Sequence, residues 1–335
     1  MAEISKSIVH LTMCFGPKVL AIGTGSIYKK ENKFYIITAW HNVTGRHPDT
    51  FKLRNEDCAV PDKIIVNLCL LMGGGWTRIA IPLSLHDDER SCFYIHPKNW
   101  PRVDVVAIPF DPYAAHPMAG TLSDGRDIKI SVPLFMNSGE GMHTSISPIQ
   151  DHILKRDRIV DDWFEGVDVT EELFIPGYPQ NVHDMHMQPV WKRGTIASSV
   201  QMGWNREKKF LIDSASKSGM SGAPVLYYNP RGRISMHGTT VQLGGEVSIL
   251  ASIYVSRVGV TDEQDPQVGI VWHSDVIDEI IDGARYEENP IFIGVLPGIL
   301  DKAIEEVLAT CSKEGLENIR DPDMPSRYYA QREIM

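Results

Sequence analysis

Short β-branched and aromatic runs, each cut off by Gly, Pro, Asn or Asp, recur along most of this chain. Residues 19–27 and 33–38 read as strands joined through residues 29–32. Residues 63–71 form another, which turns at the three glycines 73–75 and returns over 76–81. Residues 104–108 are a strongly apolar strand, and a second strand-rich stretch covers about 172–272. Strand side chains alternate between two faces, so short strands bury their apolar faces by stacking sheets or by closing on themselves. The pattern therefore predicts an all-β barrel or sandwich without solenoid repeats.

Three fragments stand out within that pattern. Ile37-Thr38-Ala39-Trp40-His41 supplies a histidine, Val103-Asp104-Val105-Val106-Ala107-Ile108 an aspartate, and Lys217-Ser218-Gly219-Met220-Ser221-Gly222-Ala223-Pro224 a serine. A hydroxyl is a poor nucleophile near neutral pH. It needs a base to take its proton and a carboxylate to hold that base in the right tautomer. Taken singly, each fragment has a plainer reading: a buried histidine, a surface aspartate, a glycine turn.

Together, and in this order, the fragments resemble the motifs of trypsin-like serine peptidases of the chymotrypsin fold, nearest to stand-alone bacterial Deg-type peptidases without a PDZ domain. Gly23-Thr24-Gly25-Ser26-Ile27, Phe174-Ile175-Pro176-Gly177-Tyr178-Pro179, Arg193-Gly194-Thr195-Ile196 and Val268-Gly269-Ile270-Val271-Trp272 also fit, so the resemblance covers roughly residues 8–280. It implies two packed six-stranded antiparallel β-barrels with a short C-terminal helical extension. Residues 1–125 would form the barrel carrying His41 and Asp104, 126–170 an inter-barrel connection, 171–274 the barrel carrying Ser221, and 275–335 the extension and tail. A short helix near 149–156, a helix over Asp275–Gly283 capped at Ser274-Asp275, and helical spacing over 300–308 are expected.

The resemblance also implies roles. His41 is the general base, Asp104 its orienting carboxylate and Ser221 the nucleophile of a peptide-bond hydrolase that uses no cofactor. The backbone N–H groups of Gly219 and Ser221 form the oxyanion hole. Ala215 lies near the base of the specificity pocket, and Ser252, Ile253 and Tyr254 form the strand that pairs with substrate. Without a carboxylate at Ala215, small or medium apolar P1 residues are expected. Met220 departs from secreted relatives, which place an Asp before the serine to pair with a new N-terminus. Control of the Ser218–Ser221 loop would then need another device, which leaves room for an activating protein partner. Arg102 is expected at the surface by strand alternation.

Composition narrows the function classes. A net charge of −10 over 335 residues argues against nucleic-acid binding, which needs a concentrated basic surface. The N-terminal residues lack a secretory h-region and no run reaches membrane-span length, so no membrane partner is expected. The five cysteines, with no CxxC pair, read as reduced thiols of a cytoplasmic protein. His183-Asp184-x-His186 reads as a hairpin tip rather than a metal site, and Trp163 and Phe164 as packing residues. Two alternatives stay open: a catalytically silent peptide-binding module of the same fold, and an α/β-hydrolase-type esterase completed by Asp262 and His273.

Overall fold

The computed structural model describes residues 3–54, 59–72, 75–87, 90–98, 102–122, 125–134, 143–144, 146–258 and 267–288. The first half contains β1 (Ile8–Phe15), β2 (Lys18–Lys30), β3 (Lys33–Thr38), α1 (Trp40–Thr44), β4 (Lys63–Met72), β5 (Gly75–Ser84), β6 (Arg90–Ile95), β7 (Val106–Pro109), β8 (His116–Thr121), β9 (Asp127–Val132) and β10 (His143–Thr144). The second contains α2 (Arg158–Gly166), β11 (Glu172–Gly177), β12 (Val190–Ile196), β13 (Lys209–Asp213), β14 (Pro224–Asn229), β15 (Arg233–Met236), β16 (Thr239–Gln242), β17 (Val247–Arg257), β18 (Val268–His273), α3 (Asp275–Gly283) and β19 (Arg285–Glu288).

The fold is all-β, and each strand pairing in it is antiparallel. The second half closes as a six-stranded barrel in the order β11-β12-β13-β18-β17-β14. The first half is larger than the six strands expected. It is an eleven-stranded sheet in which β8, β9, β10 and β19 extend the ladder. The sheet still rolls up, because the bridge His86↔Ser91 and the bond from Cys92 N to Leu85 O bring β6 beside the end of β5. Alternate residues of β1 through β7 therefore share one core, including Leu11, Ile36, Val66, Ile81, Phe93 and Val106.

The second barrel is filled by Ile175, Ile212, Val225, Ile249 and Val271, and α2 plugs one end with Val160, Trp163 and Phe164. Asp157 caps α2 by accepting from the N–H groups of Ile159 and Val160. The short helix expected over 149–156 is a single 3₁₀ turn, Ile149–Asp151, and the α-helix begins later. Strand β9 pairs with β8 inside the segment read as a connection.

A third core joins the two halves, and it fixes the site. Ile37, Ala39, Val103, Val105 and Ala107 from the first half meet Leu250, Ile253, Val255 and Trp272 from the second, closed by Val276, Ile277 and Ile280 of α3. Strand β17 is thus buried on both faces, one in its own barrel and one in this junction, so its residues are buried without a break from Val247 to Val255. Helix α3 forms as expected, although Ser274 makes no side-chain cap bond. The C-terminal region is not purely helical, because β19 returns to pair with β6. The helical spacing over 300–308 lies outside the described residues. Among the described residues, no helix is long and apolar enough to cross a membrane.

The halves are also bridged by a buried histidine. Asn67 Nδ2–H donates to His10 Nδ1 at 3.0 Å, so the proton sits on Nε2, which donates to Asn181 Oδ1 at 2.7 Å. Burial holds the His10 pKa below its ordinary 6.5, partly offset by the Asn181 bond. The unfolded chain then binds this proton more tightly, so stability falls as pH drops below 6.5. Burial shifts His86 and His152 in the same direction. Urea unfolding at about pH 5 and about pH 7.5 should show this slope in the wild type, and His10→Gln should flatten only part of it. An equal slope in both proteins would remove His10 from the account.

Candidate active site

His41 sits in the first turn of α1, just after Trp40, whose side chain is wedged into the first core. Asp104 lies at the approach to β7, held between the buried Val103 and Val105. The two meet closely. Asp104 Oδ1 accepts from the His41 backbone N–H at 2.9 Å, and His41 Nδ1–H donates to Oδ2 at 2.8 Å. His41 is 6% exposed and Asp104 1%. With Nδ1 carrying the proton, Nε2 is left as an acceptor.

Ser221 comes from the loop before β14 and is pinned to the first half through its own carbonyl. That oxygen accepts from Thr24 N and from Asn42 Nδ2, each at 2.9 Å. Asn42 follows His41, so one residue of α1 ties the serine loop to the histidine turn. The hydroxyl Oγ donates to Val255 O at 2.9 Å rather than to His41. His41, Asp104 and Ser221 nevertheless line one cleft of ≈ 1110 Å³.

Gly219 has φ +93°, and a Cβ there would stand 2.2 Å from Tyr178 O. Only glycine fits that turn and that approach. Its carbonyl accepts from Thr24 Oγ1 at 2.8 Å, and Gln180 N–H donates to Ser218 O at 2.6 Å. These bonds turn the Gly219 oxygen inward and leave the N–H groups of Gly219 and Ser221 without a protein acceptor among the described residues. Met220, which cannot form an ion pair, is fully buried with its sulfur against Gly177. Burial thus anchors the residue before the serine.

Three expectations need correction. Ala215 is exposed and does not line the cleft, because alternation turns Ser214 and Ser216 inward and Ala215 out. Ser252 and Ile253 are fully buried and lie off the cleft wall, which runs instead from Tyr254 through Val255, Ser256 and Arg257. The bond from Tyr254 N to Ala223 O sets that register. Arg102 is not at the surface: its side chain is 11% exposed and pairs with Glu287 at 3.3 Å. Sequence reasoning also missed Thr24 and Asn42, although Asn42 directly after His41 was a visible signal. The esterase reading fails, because the strand pairings among the described residues are antiparallel and His273 pairs with Asp275. Asp262 lies outside the described residues. His183 and His186 sit on a turn that Arg78 ties to the first sheet through the carbonyls of Asp184 and Met185.

No protein-family model and no curated protein sequence matches the chain. Among solved structures it is similar to the Rv3671c protease from M. tuberculosis in its active form, at 12% identity over 86% of this chain and 84% of that one, with a TM-score of 0.40. It is similar to a serine endoprotease from Yersinia pestis at 11% identity, 83% and 62% coverage and a TM-score of 0.39. It is also similar to the protease Anisep from Arthrobacter nicotinovorans at 12% identity, 80% and 90% coverage and a TM-score of 0.36. The fold and site described above rest on the chain's own geometry.

Proposed function

We propose that this chain is a serine endopeptidase that cleaves protein or peptide substrates through an acyl-enzyme at Ser221. The observation that carries this reading is the His41–Asp104 pair, with Nδ1 turned to the carboxylate, in the cleft that also holds Ser221 and two unused backbone donors. In the proposed reaction Ser221 Oγ attacks the substrate carbonyl while His41 Nε2 takes its proton. Asp104 stabilises the imidazolium, and His41 then gives the proton to the leaving amine. The N–H groups of Gly219 and Ser221 receive the oxyanion, each worth about 10²–10³ in rate. A turn about χ1 has to swing Oγ from Val255 O towards His41 before attack, and resting sites commonly tighten only with substrate bound.

That resting bond also favours a second reading, a silent or latent module that keeps the groove. Labelling with a fluorophosphonate, mapped by mass spectrometry, separates the two. Modification at Ser221 that His41→Ala abolishes supports the peptidase. A folded protein that stays unmodified supports the silent module or a latent enzyme that awaits a partner.

The cleft wall also suggests a substrate preference. The Tyr254 ring is 2% exposed, packs on Gly269, and its hydroxyl bonds Ser216 Oγ. Tyr254 lines the same cleft as Ser221, and we infer that its ring closes the space a large P1 side chain would enter, so small P1 residues are preferred. Tyr254→Ala should raise kcat/KM for a Phe at P1 relative to Ala by about 10-fold or more, since each accommodated group is worth roughly 10–200-fold. A P1-varied peptide library reads this directly. An unchanged profile would place the P1 pocket elsewhere.

A further inference from the structure

The residues flanking His41 and Asp104 are tied to a strand from the far C-terminal end of the described chain. Glu287 of β19 is 6% exposed, and its two carboxylate oxygens serve different segments. Oε2 accepts from Trp40 Nε1–H at 2.9 Å, and Oε1 pairs with Arg102 Nη2 at 3.3 Å. Trp40 directly precedes His41, and Arg102 lies two residues before Asp104. The Arg102 guanidinium also lies over the Trp40 ring, 5.2 Å from its centroid. Trp40 Nε1 is the only polar atom of a side chain that is otherwise sealed in the core. Without Glu287 it would be a buried donor without a partner.

The strand carrying Glu287 is built to deliver it. β19 pairs with β6 at Arg285↔Ile95 and Tyr286↔Tyr94, then shifts register before Glu288↔Arg90. At that irregularity Glu287 N donates to Ser91 Oγ at 2.8 Å, so a side chain replaces the ladder acceptor and the carboxylate is aimed inward. The strand is seated by Tyr286 against Tyr94, by Arg90 over the Tyr286 ring, and by Arg285 Nη1 on Pro97 O.

We propose that Glu287 is a positioning residue that braces the His41 turn against the Asp104 segment, so that docking of β19 on β6 sets whether the two side chains meet. The assignment of a catalytic purpose to this brace rests on the peptidase reading above. The chemistry requires it to act on alignment. Glu287 touches neither ring nor carboxylate of the pair, yet it holds the neighbour of each. An error of about 1 Å in such a pair costs on the order of 100-fold in rate.

Full-length Glu287→Gln, Glu287→Ala and Arg285→Ala would be compared with wild type by three measurements. These are the fluorophosphonate labelling rate at Ser221, thermal melting, and the downfield proton resonance of His41 Nδ1–H. Gln still accepts from Trp40 but loses the charge facing Arg102, so a decrease of roughly 10-fold is expected; Ala loses both and should approach 100-fold. In Glu287→Ala the Nδ1–H resonance should broaden or vanish at a temperature where the protein remains folded. Arg285→Ala removes one of the contacts that seat β19 but leaves the Glu287 carboxylate in place, so it should slow labelling by less than Glu287→Ala does. Wild-type labelling rates and an unchanged resonance in both Glu287 variants would overturn the brace. If Glu287→Ala does not fold, Glu287→Gln decides. If wild type itself does not label, the peptidase reading fails, while the resonance still reports whether Glu287 aligns the pair.

Discussion

Asp104→Asn should lower turnover of a peptide substrate by about 10⁴-fold while the protein still folds. The carboxylate accepts twice from the same residue, once from the His41 backbone N–H and once from Nδ1–H. An asparagine keeps one acceptor oxygen and puts an NH₂ group in place of the other. If its oxygen stays on the backbone N–H, its NH₂ group faces Nδ1 and donates. Nδ1 must then be the acceptor, and the ring proton moves to Nε2, where it blocks uptake of the Ser221 proton. The substitution is close to isosteric, so the buried junction around Val103 and Val105 keeps its packing. The loss should fall on kcat, with KM little changed, because the tautomer matters only when the proton moves. Circular dichroism and a melting curve near wild type would exclude collapse of the fold. Unimpaired turnover would show that Asp104 does not orient the general base and that the site works without it.

What could be read in the sequence, and what could not, divides along physical lines. The three fragments carrying His41, Asp104 and Ser221 were legible because each combines a reactive group with a local backbone demand. Gly219, with φ +93°, is such a demand. The apolar run of β7 was legible for the same local reason. Register was not. Strand β17 is buried on both faces over most of its length, so nothing in its composition says which residues reach the cleft. The stretch ending at Tyr254 was therefore chosen where Tyr254 through Arg257 form the wall. Ala215 failed through parity, since counting back from Ser221 gives a position but not the face it presents. Arg102 failed because alternation says only which way a side chain points. It does not tell that β19 arrives with Glu287 to cover it. That contact joins residues far apart in sequence, and no local pattern encodes it. The extra strands of the first sheet escaped for a related reason: β8 and β9 have exposed, mixed faces that read as loop.

Gly222→Ala should damage fold and site at once. Gly222 has φ +89°, and a Cβ there would stand 2.1 Å from Thr24 O, 2.3 Å from Thr38 Oγ1 and 3.0 Å from Ala39 N. Two of those atoms are backbone, and the third is fixed by its own bond from Thr38 Oγ1 to Thr24 O at 2.7 Å. None is the free end of a flexible side chain, so the clash has to be relieved by parting the two halves. The left-handed conformation costs an L-residue roughly 1–2 kcal/mol, and overpacking adds about 1–3 kcal/mol. Parting the halves stretches the bonds that Thr24 N and Asn42 Nδ2 make to Ser221 O. Ser221 then retreats from His41, and labelling at Ser221 should fall by about 100-fold or more. Denaturant unfolding and labelling rate should therefore drop together. Gly238→Ala is the control, because Gly238 also has a positive φ, +69°, but a Cβ there meets nothing within 4 Å. It should lose some stability and no labelling. Should Gly222→Ala label at the wild-type rate, the serine loop and the histidine turn would not be coupled through this contact.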